Sequence, residues 1–287
     1  MKKIILADHA GYCFGVKRAM KLAWDELENR ENKNIFALGP LIHNKQAVEK
    51  YEEKGLITIN DIEDIDTKNV NPKEVIIRSH GVAKEVYDQA NEKKLEIVDT
   101  TCPFVKKIHE LAKESYEKGK KIILIGDKNH PEVIGINGWC DNKAIIVKEL
   151  KELFDIELDY SVEYVVVSQT TMNEREFDVI IDYLKDKNIN MVVNNTICSA
   201  TKVRQQSARE ISNKVDLMIV IGGKHSSNTQ KLVSICKESV DTIAIETKAD
   251  LIDFDLGKYD TIGVTAGAST PDWIIEETIE YIENGVI

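Results

Sequence analysis

Apolar residues along this chain follow two alternating rhythms. Short continuous runs such as EVIIRSHG (74–81), KIILIG (121–126), YVVVSQTT (164–171) and DLMIVIGG (216–223) have strand length and end in glycine or small polar residues. Between them lie stretches whose apolar positions recur every three or four residues. Examples are CFGVKRAMKLAWDEL from Cys13, CPFVKKIHELAKESYEKG from Cys102 and CSATKVRQQSAREISNKV from Cys198. The first rhythm predicts buried strands and the second amphipathic helices. Strands alternating with helices predict an α/β fold with parallel-rich sheets.

The rhythm repeats three times in register. A run of small polar residues precedes each of the three cysteines, and a basic residue (Lys17, Lys106, Lys202) stands four positions after it. A strand-like run then ends in Gly39, Gly126 or Gly222, offset from the cysteine by 26, 24 and 24 residues. Four residues beyond each glycine comes His43, His130 or Ser226. A second strand ends in a polar cluster at His80, Thr170–Thr171 or Ser269, offset by 67, 68 and 71 residues. Such self-similarity signals repeated architecture. It predicts three α/β modules: 1–97, 98–193 and 194–270. In open α/β sheets ligands sit beyond the carboxyl ends of strands, where all of these polar residues fall. Packed about a pseudo-threefold axis, the modules are expected to bring the three cysteines to one central site.

Composition narrows the chemistry. The 287 residues include 38 basic and 49 acidic ones, so 38 − 49 = −11. An acidic chain does not meet duplex nucleic acid with a basic face, and no nucleic-acid partner is expected. No run approaches the roughly 20 apolar residues of a membrane helix. The start, MKKIILA, has four apolar residues where an export signal needs about 7–15. The expectation is a cytoplasmic protein with no membrane association and with thiols reduced or metal-bound. Charge runs such as 26–34 and 113–121 read as solvated helix ends and turns.

Five cysteines, widely spaced and odd in number, exclude a disulfide framework. Cys140 and Cys236 lie outside the repeat and read as small buried hydrophobes. Structural zinc takes closely spaced Cys-x-x-Cys pairs, and there are none. Thiolates at Cys13, Cys102 and Cys198, from three modules, suit an iron–sulfur cluster. In a four-iron cubane, three cysteines leave one iron open to a substrate oxygen. His43, His80, His130, Ser226, Ser227, Asn228 and Ser269 form a donor set suited to a phosphate or diphosphate. Glu132, in NHPEVIG, is a carboxyl fixed beside a proline, apolar residues and His130; it becomes a proton donor if its pKa is raised. Thr170 or Thr171 is its relay. His9, His109 and His225 read as packing or capping residues. On the residues alone, an iron–sulfur hydro-lyase, a cluster-based sensor and a structural zinc protein remain open.

The motifs AGYCFGVKRA, GPLIHN, RSHGV, DTTCPFVKKIH, NHPEVIG, SQTT, NTICSAT, SSN and TAGAS together resemble the LytB family of 4-hydroxy-3-methylbut-2-enyl diphosphate reductases. They run from residue 10 to residue 269 without a departure at the matched positions. The resemblance implies three modules around one [4Fe–4S] cluster held by Cys13, Cys102 and Cys198, with one iron open. It implies diphosphate binding by His43, His80, His130, Ser226, Ser227, Asn228 and Ser269. It also implies Glu132 as the acid, Thr170 near the substrate hydroxyl, and a C-terminal segment, 271–287, packed back on the first module. The implied activity is reductive dehydroxylation of the allylic diphosphate to isopentenyl and dimethylallyl diphosphate, the last step of the non-mevalonate isoprenoid pathway. An external one-electron donor of ferredoxin or flavodoxin type is implied with it.

Overall fold

The structure, a computed structural model, describes residues 2–29, 34–65 and 73–284. Residues 30–33 of the charge run and 285–287 of the C-terminal segment lie outside the described residues. The first third of the chain runs β1 (Lys3–Leu6), α1 (Phe14–Glu28), β2 (Asn34–Leu38), α2 (Lys45–Glu53), β3 (Ile57–Ile59), β4 (Lys73–Ile77), α3 (Lys84–Glu92) and β5 (Glu96–Asp99). It continues through α4 (Pro103–Glu117), β6 (Lys121–Ile125), α5 (Pro131–Gly138), β7 (Ile145–Val147), β8 (Tyr164–Ser168), α6 (Glu174–Asp186) and β9 (Met191–Val193). The last part is α7 (Ser199–Ser212), β10 (Leu217–Ile221), α8 (Ser227–Lys237), β11 (Asp241–Ile245), β12 (Thr261–Ala266) and α9 (Asp272–Asn284).

The strands form three four-stranded sheets, in the orders β3-β2-β4-β5, β7-β6-β8-β9 and β11-β10-β12-β1. Every pairing is parallel. The α/β fold with parallel sheets is therefore as the sequence rhythm predicts. The three sheets share one topology: a central pair, an outer strand, and a fourth strand that leads to a cysteine. The fourth strand of the last sheet is β1, which pairs with β12 in the register Lys3 with Thr261 through Leu6 with Val264. The start of the chain thus completes the sheet built at its end.

Burial explains the composition of the strands. Central strands β4, β8 and β10 are buried at every residue, because parallel sheets carry helices on both faces. In the second sheet, Ile122, Leu124, Val165 and Val167 pack against Ile108 and Ala112 of α4 and Val133 and Ile136 of α5. Their alternating neighbours Ile123, Ile125 and Val166 pack against Phe177, Ile180, Ile181 and Leu184 of α6. In the third sheet, Met218 and Val220 face α7 and α8, while Leu217, Ile219 and Ile221 face Ile274, Ile275 and Ile282 of α9. The C-terminal helix therefore packs on the last sheet. Among residues 1–97 it meets Ile4 and Ala10 in the same cluster, and the Lys50 ammonium lies 3.8 Å over the Trp273 ring.

The molecule divides into two compact units. One comprises Met1–Lys17, Ile42–Lys50 and Ser199–Ile287; the other comprises Arg18–Leu41 and Tyr51–Cys198. No helix among the described residues is long and apolar enough to cross a membrane.

Ile219 is fully buried at the centre of β10. Replacing it by alanine leaves a cavity and is expected to lower unfolding free energy by about 2–5 kcal/mol. Val193→Ala on the exposed edge strand β9 is expected to stay within about 0.5 kcal/mol. Urea titration of both variants against the parent checks the contrast.

Candidate active site

Three times the chain uses one local construction. Cys13, Cys102 and Cys198 stand directly before α1, α4 and α7. Each cysteine N–H donates to a carbonyl in the loop after a central strand. Cys13 donates to Ala268 after β12 (3.2 Å), Cys102 to Ser79 after β4 (3.0 Å) and Cys198 to Thr170 after β8 (3.0 Å). The thiols are half-buried and sit at helix N-termini, where unsatisfied N–H groups favour negative charge. Cys140 and Cys236 are fully buried, and desolvation pushes both of their thiol pKa values up. None of the five forms a disulfide.

In the unit that ends at Cys198, the loop after β4 carries His80, and His130 is the N-cap of α5. Their rings meet edge to face with centroids 5.4 Å apart. The His130 Nδ1 accepts from the Glu132 N–H at 3.1 Å, so the proton of a neutral ring lies on Nε2. Two residues on, the Glu132 side chain is 2% exposed. Its Oε1 accepts from the Thr170 N–H at 2.6 Å and its Oε2 from the Thr170 hydroxyl at 2.7 Å. Burial raises the Glu132 pKa to about 7 against the opposing pull of those two bonds. Of the two threonines, Thr170 is the one bonded to Glu132; the Thr171 hydroxyl accepts from the Gln169 amide at 3.0 Å.

The spacing of His80 and His130 is set by backbone packing that the motif reading did not single out. A Cβ on Gly138 would lie 2.2 Å from the Ala83 Cβ, and one on Gly135 would lie 3.4 Å from the Val82 backbone. The first distance is a clash and the second an ordinary contact, so it is at Gly138 that only bare backbone lets α5 approach the 78–83 loop so closely. The Trp139 indole N–H donates to the Val82 carbonyl at 3.0 Å. His109 stacks on Trp139 at 5.5 Å and fills the space beside Gly81, whose φ is +69°. Burial lowers the His109 pKa to about 4, so it is a neutral packing ring at ordinary pH. Gly138, inside the helical run PEVIGING, was the signal available in the sequence.

In the unit that holds both chain ends, Cys13, His43, Ser226, Ser227, Asn228 and Ser269 come from four loops. Ser226 is the N-cap of α8, its hydroxyl accepting from the Thr229 N–H at 3.4 Å. Ser227 and Asn228 form the first turn. The Asn228 amide is 4% exposed, and neither its Oδ1 nor its Nδ2 has a hydrogen-bond partner. The Ser269 hydroxyl donates to the His43 carbonyl at 3.3 Å. A Cβ on Gly223 would sit 2.3 Å from that same carbonyl. Donors from the loops after β2, β10 and β12 are thus held together. A buried amide with unused hydrogen-bonding capacity at a helix N-terminus is disposed toward an anion. His9 and His225 are exposed.

The family described as LytB protein matches residues 4–283. This chain belongs to the LytB family. It is 59% identical to the 4-hydroxy-3-methylbut-2-enyl diphosphate reductase of Clostridioides difficile (strain 630), over 98% of this chain and 99% of that protein. It is 48% identical to the protein of the same name from Caldanaerobacter subterraneus subsp. tengcongensis, over 98% and 97%. Among solved structures it resembles the E-1-hydroxy-2-methyl-but-2-enyl-4-diphosphate reductase of Plasmodium falciparum. There the TM-score is 0.91 at 30% identity, covering 99% of this chain and 87% of that one. It also resembles an (E)-4-hydroxy-3-methyl-but-2-enyl diphosphate reductase described as the terminal enzyme of the non-mevalonate pathway. In that case the TM-score is 0.70 at 39% identity, with coverage of 99% and 100%.

The Glu132 carboxyl of this LytB chain links stability to pH. Its folded pKa of about 7 lies above the ordinary 4.5. Between those values the folded chain binds the extra proton, so stability falls as pH rises. Glu132→Gln keeps the shape and removes the titration. Its stability relative to the parent should rise from pH 4.5 to 7 and then level off. Denaturant midpoints of both proteins across that range check this; a constant difference would contradict it.

Proposed function

We propose that the residues described above carry out a reductive dehydroxylation. The chain is an oxidoreductase that reduces 4-hydroxy-3-methylbut-2-enyl diphosphate, in the terminal step of the non-mevalonate pathway. The observation that carries the acid–base part is the buried Glu132 carboxyl bonded twice to Thr170.

Cys13, Cys102 and Cys198 are the proposed ligands of one [4Fe–4S] cluster with one iron lacking a protein thiolate. Their fit rests on donor chemistry: three half-buried thiols, outside disulfides, each at a helix N-terminus that favours the negative charge of a thiolate cluster. The iron–sulfur character of the family supports the same reading. When bound, the cluster supplies electrons one at a time and Lewis-acid character at the open iron. An external one-electron donor of ferredoxin or flavodoxin type delivers them. Thiols held outside disulfides suit a reducing, cytoplasmic setting.

His43, His80, His130, Ser226, Ser227, Asn228 and Ser269 are the proposed diphosphate donors. Holding the diphosphate fixes the allylic hydroxyl near Thr170, which is catalysis by positioning. Glu132, protonated near neutral pH, gives its proton through the Thr170 hydroxyl. The carbon–oxygen bond breaks and the hydroxyl leaves as water. Two electrons and a second proton at an allylic carbon complete the conversion to isopentenyl or dimethylallyl diphosphate, so two electrons and two protons are consumed per water released.

Anaerobic purification followed by iron and sulfide analysis tests the cofactor, with about four of each expected per chain. Turnover of the hydroxylated allylic diphosphate should require a reductant; turnover without one would point to a hydro-lyase. Cys102→Ser should lower cluster content, and a fully loaded variant would remove Cys102 from the ligand set. Glu132→Gln should keep the cluster and lose about 10²–10⁴-fold in kcat. Asn228→Asp, placing negative charge among the phosphate donors, should raise KM at least tenfold while leaving cluster content intact.

A further inference from the structure

The helices that follow the three cysteines, like α2 and α8, do without acidic residues in their first turns. Negative side chains are favoured in the first turn of a helix and positive ones disfavoured. Yet α1, α4 and α7 have no acidic residue in the first turn, in a chain with 49 acidic and 38 basic residues. Two of them carry an arginine one and a half turns after the cysteine: Arg18, five residues past Cys13, and Arg204, six residues past Cys198.

Both arginines do the same thing. The Arg18 Nη1 reaches the carbonyls of Thr100 (3.5 Å) and Thr101 (3.4 Å), the two residues before Cys102. The Arg204 Nη2 donates to the carbonyl of Gly11 (2.8 Å), two residues before Cys13, while its Nη1 donates to Ala200 (3.2 Å). Arg204 is 2% exposed. Gly11 has φ +90°, and a Cβ there would meet Asp272 Oδ1 and Ile275 Cδ1 at 3.0 Å. The backbone ahead of Cys102 and of Cys13 is thus gripped by a guanidinium from a helix that follows a different cysteine. Each cysteine's own N–H is fixed separately, to Ser79 and to Ala268.

The third cysteine is approached differently. Five residues past Cys102 stands Lys107, which is exposed. Thr196, two residues before Cys198, is held instead by Ser168: its hydroxyl donates to the Ser168 carbonyl and accepts from the Ser168 N–H, both at 2.7 Å.

We propose that Arg18 and Arg204 are positioning residues for the iron–sulfur cluster. They aim the Cys102 and Cys13 thiols by holding the preceding backbone, and they place permanent positive charge close to the ligand-bearing segments. The inference rests on the reading of Cys13, Cys102 and Cys198 as cluster ligands. A fixed cation stabilises added negative charge nearby, so it favours the reduced cluster. Lysine keeps the charge but cannot reproduce the planar fork of donors.

The test uses anaerobically purified, cluster-loaded Arg18→Met, Arg204→Met, Arg18→Lys, Arg204→Lys and Lys107→Met. Three quantities are read: the cluster midpoint potential by electron paramagnetic resonance titration, the rate of iron loss to a chelator, and the melting temperature of the cluster-free chain. Arg204→Met should show a more negative midpoint and iron loss at least fivefold faster. Arg18→Met should change in the same direction but less, because Arg18 is less buried. The lysine variants should keep the parental midpoint but lose iron faster than the parent. Lys107→Met should match the parent throughout. Parental midpoints and iron-loss rates in both methionine variants would overturn the proposal. So would a change confined to the melting temperature. If Arg204→Met does not fold, parental iron-loss rates in Arg204→Lys and Arg18→Met would overturn it. An iron-free parent would fail the cluster reading itself and is told apart by the iron analysis of unaltered protein.

Discussion

One hydrogen bond, made three times, organises this molecule. A cysteine N–H at the start of a helix donates to a carbonyl in the loop after a central strand, at Ala268, Ser79 and Thr170. The bond joins two segments far apart in sequence or in different elements. It holds a thiol beside a loop that carries a proposed binding residue: Ser269, His80 and Thr170 itself. Parallel sheets make this possible, since every strand delivers its chain at the same edge. The rest of the architecture, from buried β4, β8 and β10 to the glycine, Gly138, that lets α5 approach the 78–83 loop, keeps those loops in place.

Glu132 shows how the same frame tunes chemistry. Desolvation favours the neutral carboxyl, while two hydrogen bonds from Thr170 favour the anion. The first effect is larger, and the balance leaves a group that can exchange a proton near neutrality. Cys198 is tied to the carbonyl of the same Thr170. Thr170 thus hydrogen-bonds to both Glu132 and the Cys198 backbone, linking residues from three separate segments of the chain.

Much of this was legible in the sequence because the repeat is legible. Strand-sized apolar runs, helical periods and constant offsets gave the α/β class, the parallel sheets and the loops at the strand ends. The residues alone paired Glu132 with Thr170 or Thr171 and the family resemblance favoured Thr170; the structure hydrogen-bonds Glu132 to Thr170. Long-range closure was not readable. Nothing local in KIIL states that β1 joins β12, because parallel pairing between chain ends depends on tertiary packing. Nor does a period mark the scaffold of His80: Gly138, Trp139 and His109 act through contacts between elements. The arginine contacts between distant segments were hidden for the same reason, since a basic residue early in a helix looks like an ordinary surface charge until its partner is seen.

The pairing of β1 with β12 also sets an order of events during synthesis. Chains emerge from the ribosome N-terminus first, at about 5–20 residues per second. The strand that leads to Cys13 is therefore made well before its partner at 261–266. The sheets of residues 34–99 and 121–193 can assemble while translation continues. The Cys13 segment must wait in an unfinished state until Ala268 arrives to receive its N–H. Mature geometry at that cysteine thus depends on a segment some 255 residues further along, and the bond that fixes this proposed ligand can form only once that segment has emerged.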